Sequence, residues 1–376
     1  MTMDADALLR GPRGRRASLF VAAASSGDQK LEATLLNAVM ELSAELDPSL
    51  GAGRAYLRFE ASAQGATGDS ARFPEPEIPR IESANDLVAA LLDAPILAEL
   101  ISPSDVLEET VSSARYWQEP DGEDFLCALP ILQPALQRAA EVLVSRPGTE
   151  WWDAPIDRSD QWVVDFDFGL HDAPRVVRPD IRAFRAEAVA EEQQARRDRP
   201  SDPKASFSGS WWSTPLVPLA SFTTTRSVGA AGPLGLHLVE DSMGWEEAQA
   251  RPVRIDRRAR VYEISTADDW AELCRRFPLN LTASRRHDWY RATGRIGAWV
   301  IPDWTSVGEH YDGVHLSTAA YLQAAGLPVP VDGDSASLIA GWSPDETWWF
   351  QPGIVDILEE ESVAWHRGGG QEWRPR

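Results

Sequence analysis

Of the sixteen tryptophans in this chain only Trp117 precedes residue 150, and all six histidines follow residue 170. An indole is the bulkiest side chain and is usually largely buried, so a segment that concentrates them has to build wide cores. Only the second part of the chain carries that demand. The shift in residue types falls at "SRPGTEWWDAP", where Pro147 and Gly148 also punctuate the chain. A length of 376 residues fits two domains. We therefore divide the sequence into a mainly helical domain, 1–147, and a Trp-rich domain, 148–376, with a linker-like stretch at 195–210.

The first part has helical spacing. Leu31, Leu35, Val39, Leu42 and Leu46 recur at intervals of three and four, with Ser26 and Asp28 as cap oxygens. A second helix starts near Ser83 and meets Pro95; "SPSDVLEETVSSARYW" and "PALQRAAEVLVSRPG" supply two more. The second part alternates short strands with a few helices. Strands are expected in "QWVVDFDFG", "PLGLHLVED", "ARVYEIS", "GAWVIPD", "YDGVHLS" and "ASLIAGWS". In "STADDWAELCRRFP", Thr266 and Asp269 approximate a capping box, and Trp270, Cys274 and Phe277 share one face. "DILEEESVAW" also reads as helical. The fold class is α+β: a helical N-terminal domain followed by a mixed or antiparallel-sheet domain.

The balance of 36 basic against 58 acidic residues gives a net charge of −22, which repels phosphate backbones and anionic membranes. Nucleic acid is not an expected partner. The local basic run "RGPRGRR" (Arg10, Arg13, Arg15, Arg16) reads as a solvated start. Cys127 and Cys274 are isolated in apolar surroundings and fit a reducing compartment, with Cys274 an inert core thiol. No apolar run reaches membrane-span length, and the N-terminus lacks the charge-then-apolar order of a signal peptide. The expectation is a soluble, cytoplasmic protein without membrane association.

No G-x-x-x-x-G-K, G-x-G-x-x-G or G-x-S-x-G pattern occurs, which disfavours P-loop, Rossmann and nucleophile-elbow chemistry. "EHYDGVHLS" sets His310, Asp312 and His315 close together, and a distal His366 completes the outline of a facial metal triad. On a strand, 310 and 312 face one way and 315 the other. Asp165 and Asp167 share one face of "VVDFDFG", where the plainer reading is an outward polar row. Glu240 and Asp241 end a proposed strand, a position that often carries function, with surface ion pairs to Arg254 or Arg257 as the equal alternative. "WWDAP", "WWSTP" and "WWFQP" begin at 151, 211 and 348, with no constant period and hence no solenoid. In extended chain each pair packs one indole inward and offers the other to a neighbour or cleft.

From Ser210 to Phe350, "WWSTP", "LHLVEDSMGWEEAQARPV", "VYEISTADDWAELCRRFP", "RRHDWYRATG" and "LIAGWSPDETWWF" follow one another. That order, with "LLRGPRGRR" near the start, resembles a group of uncharacterised actinobacterial proteins. More distantly, "RVYEIS", "GVHLSTAAY" and "SPDETWWF" resemble the ordered motifs of ADP-ribosyltransferases. That resemblance implies NAD as substrate. Arg260 would hold its phosphates, and Ser317 and Thr318 would flank the nicotinamide. Glu346 would stabilise an oxocarbenium-like transition state, with Trp348 beside the cofactor. Ala319 in the Ser motif and Asp345 before the Glu depart from the family pattern. Whether the chain is an enzyme stays open. The alternative is a non-catalytic interaction protein, docking through the helical half or binding a ligand on exposed Trp faces.

Overall fold

Among the described residues, seven helices come first and every strand follows residue 160. The computed structural model describes residues 3–50, 81–114, 119–167, 181–215, 222–240, 242, 244–351, 353–368 and 372–376. The helices are α1 (Ala5–Leu8), α2 (Pro12–Ala24), α3 (Gln29–Leu46), α4 (Ala84–Asp93), α5 (Pro103–Ser112), α6 (Gly122–Cys127), α7 (Gln133–Val144), α8 (Phe184–Asp198), α9 (Ala267–Arg276), α10 (Thr282–Thr293), α11 (Trp304–His310) and α12 (Thr318–Ala324). The strands are β1 (Gln161–Phe166), β2 (Thr223–Thr224), β3 (Glu247–Ile255), β4 (Val261–Ile264), β5 (Pro278–Asn280), β6 (Ala298–Pro302), β7 (Gly313–Leu316), β8 (Pro328–Asp332), β9 (Ser335–Leu338), β10 (Glu346–Trp349), β11 (Val355–Ile357), β12 (Val363–His366) and β13 (Arg374–Pro375).

Local chemistry sets the helix ends. The Asp28 carboxylate accepts from the Lys30 and Leu31 amides at the start of α3, and α3 buries Leu35, Ala38, Val39 and Leu42. Ser83 caps α4, which stops at Asp93, two residues before Pro95. Thr266 caps α9 by accepting from the Asp269 amide, and Asp269 accepts in return from the Ser265 amide and the Thr266 hydroxyl.

The basic run near the start is not a solvated tail. It forms α2, the helix against which α3, α5, α6, α7 and α12 pack. Arg13 and Arg16 are 2% and 3% exposed. Arg13 pairs with Glu240 at 3.3 Å. Arg16 pairs with Asp121 and, at 2.9 Å, with Asp124. Two glycines make this packing feasible. A Cβ at Gly11 would lie 2.1 Å from the Leu322 carbonyl oxygen on α12, and one at Gly14 would lie 1.8 Å from that of Leu8. The chain boundary expected at Pro147 falls in the turn after α7, and one set of buried side chains runs continuously across it.

The strands form three sheets, ordered β1-β3-β12-β13 with β11 also on β3, β2-β10-β7-β4, and β5-β6-β9-β8. Pairing is antiparallel except for β4 with β7 and β6 with β9, so the sheets are mixed as the α+β class requires. The middle sheet is covered on both faces. Trp348 lies 6.1 Å from Trp342 in a cluster that includes Trp270, Trp304 and Phe350. Trp349, on the opposite face, packs with Val163, Phe222 and Val253. Both indoles of this pair are buried, on opposite faces as the alternation of an extended segment requires. No described Trp is exposed.

Three local expectations are corrected. "PLGLHLVED" holds a short 3-10 turn at Leu234–Leu236 rather than a strand. "DILEEESVAW" is two strands around a 3-10 turn rather than a helix. His310 ends α11 instead of lying on a strand. In the second case pairing of β11 and β12 with β3 overrides local propensity.

Gly14→Ala is expected to destabilise the protein by about 1–3 kcal/mol through overpacking against Leu8. That is opposite in sign to the usual gain for Gly→Ala within a helix. Urea unfolding checks it; an unchanged or higher midpoint refutes the close contact.

Candidate functional site

The middle sheet carries a cluster of buried charge. Glu263, His315 and Thr347 lie side by side across β4, β7 and β10. His315 is fully buried. Its Nδ1 lies 2.6 Å from Glu263 Oε2 and its Nε2 lies 3.3 Å from Asp345 Oδ1. Asp345 also accepts from Arg226, at 2.7 Å from Nε and 3.1 Å from the backbone amide. The Arg226 guanidinium donates to the Pro155 carbonyl at 3.0 Å and sits 5.3 Å over the Trp151 ring. Asp345 reaches this position from a backbone φ of 59°, a left-handed geometry that short polar residues tolerate. That turn sends the Asp345 carboxylate to one side of the sheet while Glu346 goes to the other.

Two cations and two carboxylates thus neutralise one another out of water. Burial alone lowers a histidine, but hydrogen bonds and charge from Asp345 and Glu263 outweigh it and push His315 up to about 9. The imidazole is a cation at neutral pH with both N–H groups engaged. It is therefore a structural charge, not an available base or metal ligand.

The residues assigned by the ADP-ribosyltransferase resemblance divide between the two ends of this sheet. Arg260 precedes β4; its amide donates to Asp312 Oδ2 at 2.7 Å and its mostly exposed side chain pairs with the same carboxylate at 3.4 Å. Ser317 follows β7, five residues beyond Asp312 along a parallel pair, about 16 Å away at ~3.3 Å per residue. Ser317 is buried and caps α12 by accepting from the Ala320 amide, and Thr318 is fully buried. Glu346 pairs in register with Leu316 and so lies at the Ser317 end. It accepts from the Ser343 amide and, at 2.9 Å, from the Trp348 indole. The expected neighbours Glu346 and Trp348 do meet, whereas Arg260 stands apart from both. Burial pushes the Glu346 carboxyl up to about 7, against the pull of its donors.

The remaining candidates are also dispersed. His310 Nδ1 faces the Ser306 carbonyl and His366 lies in the β1-β3-β12-β13 sheet, so the four metal candidates do not converge. Among the described residues no group of His, Cys, Asp or Glu has metal-binding geometry. Asp165 pairs with Arg251. Glu240 is buried against Arg13 and Tyr321 instead of meeting a surface arginine, and Arg254 pairs with Asp356. Asp241 lies outside the described residues. Burial pushes the Cys274 thiol up to about 12, consistent with an inert core group.

Among the described residues, two cavities involve the helical half. One, about 360 Å³, lies between α2, α3, α5 and α6. The other, about 540 Å³, lies where α2 and α6 meet α10 and the start of β8. Neither is lined by Arg260, Ser317, His315 or Glu346. No family model, no curated protein and no solved structure matches the chain. No helix among the described residues is long and apolar enough to cross a membrane.

Sequence reasoning singled out His315 but not its partners. A histidine within "GVHL" signals a buried polar group that needs satisfying. Nothing local points to Glu263, Asp345 or Arg226, which lie 52, 30 and 89 positions away in sequence.

The sign of the pH dependence follows. The folded state raises His315 from 6.5 to about 9, so its contribution is complete below 6.5 and lost as pH climbs through about 9. The shift corresponds to about 3 kcal/mol. Glu346 is raised from 4.5 to about 7, so its charge burdens the fold progressively across that interval and fully above it. In urea unfolding at stepped pH, His315→Gln should flatten the decline between 6.5 and about 9. Glu346→Gln should be more stable than wild type above about 7. A wild-type slope in the His315 variant excludes the charged-imidazole account.

Proposed function

We propose that this is a non-catalytic interaction protein that docks a partner through its helical half. One observation carries the reading. Of eight exposed large apolar side chains among the described residues, seven (Leu36, Met40, Leu46, Leu92, Leu100, Phe125 and Ile131) belong to the helical half and only Ile296 to the rest. Apolar side chains gathered on one part of a surface favour a protein-binding role. No described tryptophan is exposed, which disfavours an open indole face for ligand binding. The strongest charged constellation, around His315, is closed on itself.

A second reading, an NAD-consuming transferase, draws support from Glu346, a carboxyl poised near neutrality against an indole. It is weakened by the distance of Arg260 and by the capping role of Ser317.

Two measurements separate these readings. Incubation with NAD should release no nicotinamide above the blank, from wild type and Glu346→Gln alike; Glu346-dependent release overturns the docking reading in favour of catalysis. In cross-linked pull-downs from expressing cells, a partner held by wild type should be lost from a folded Leu36→Ser/Met40→Ser variant. Equal capture by the variant moves docking away from α3.

A further inference from the structure

The smaller cavity on the helical half has a definite chemical character. Its floor is apolar: Leu19 and Phe20 from α2, and Leu36, Val39 and Met40 from α3. Met40 is 56% exposed, an unusual state for a residue in an otherwise apolar trough. Its rim is acidic, with Asp47, Glu109, Asp121 and Glu123 around the opening. Among the described residues Arg16 is the single cation lining it, and that guanidinium is already shared among Asp121, Glu123 and Asp124. Among the described residues, carboxylates therefore outnumber cations around the opening. Burial pushes the Glu123 carboxyl up, and its neighbours Asp121, Asp124 and Glu109 add to the strain despite Arg16. At the base of the trough the Ser43 hydroxyl is buried without a hydrogen-bond partner.

We propose that this groove receives a basic amphipathic helix from a protein partner. The helix lays its apolar face on Leu36, Val39 and Met40 and directs Lys or Arg side chains to Asp47, Glu109, Asp121 and Glu123. The inference rests on the docking reading of the helical half and adds the chemistry of the occupant. A trough between packed helices suits a helix by shape, since a row of apolar anchors at helical spacing fills it. The charge selects its sign. A net charge of −22 draws basic segments at long range, and the rim carboxylates fix them at short range. An acidic helix of equal hydrophobicity would meet like charges on every side.

Methyl-labelled methionine provides a local readout, because Met40 lines the groove and Met3 does not. The probe is a synthetic Leu/Lys amphipathic helix, with a Leu/Glu helix of the same pattern as comparison. The Met40 methyl resonance of the full-length protein should shift saturably with the Leu/Lys peptide, leave Met3 unmoved, and respond little to the Leu/Glu peptide. Asp47→Asn/Glu109→Gln should weaken that binding by about tenfold. Glu360→Gln/Glu361→Gln, which removes equal charge from an exposed turn, should not. Equal response to both peptides overturns the basic occupant but leaves docking through the helical half intact. No response of Met40 to either peptide overturns the groove as the docking site. If capture also survives Leu36→Ser/Met40→Ser, the docking face itself moves elsewhere. A Met40 shift that depends on protein concentration alone assigns the groove to a second copy of the chain and overturns the proposal.

Discussion

Two buried guanidiniums on α2 have to be matched by carboxylates from distant segments. Arg13 and Arg16 point away from water into the densest part of the helical half. Burial on its own would lower the Arg13 guanidinium, but Glu240 beside it more than offsets that and holds it above its ordinary range. Its partner Glu240 also receives the Tyr321 hydroxyl from α12. One ion pair thus joins the first helices to the middle third of the chain and, through Tyr321, to the last third. Such a pair is a weak source of net stability but a strong source of specificity, because removing one partner strands the other charge. The glycines at 11 and 14 let the backbones approach closely enough for the pair to form.

The middle sheet repeats the same solution. Its faces are both covered, so any polar side chain on it needs a partner from within the protein. His315 finds two carboxylates, and Asp345 adopts a left-handed turn to become one of them. The other face is lined with indoles at centroid distances of 6.0–6.1 Å. Chemistry and bulk are thereby locked into the interior of the Trp-rich half. The helical half is left with the open surface, its exposed leucines, Met40 and an acid-rimmed trough. The division of residue types along the chain thus becomes a division in where bulky apolar groups lie: described tryptophans off the surface, and most exposed large aliphatic side chains on the helices.

Features whose cause is local were legible. The α9 capping box, the apolar stripe of α3, the stop of α4 before Pro95 and the burial of Cys274 all depend on residues within a few positions of one another. Features whose cause is distant were not. The "RGPRGRR" run looks like a solvated tail until Glu240 and Asp124 are brought against it from 227 and 108 positions away. "PLGLHLVED" has strand composition, but its ends are tied into a 3-10 turn and a buried ion pair. Arg260, Ser317 and Glu346 occur in a suggestive order, yet order along a chain does not fix the end of a strand at which each arrives. The parallel register of β4 on β7 carries Arg260 to one end and Ser317 to the other.

The sequence by itself determined that this would be an α+β chain with helices first, a Trp-rich sheet region after, and a strongly negative surface. Periodicity, capping residues and formal charge act locally and need no tertiary partner to be read. Only the tertiary structure decided which charges are buried, which indoles face inward and which apolar residues remain in water. Those outcomes depend on pairings between segments far apart in the chain, and burial converts an ordinary arginine, histidine or glutamate into a structural group only once its distant partner has arrived.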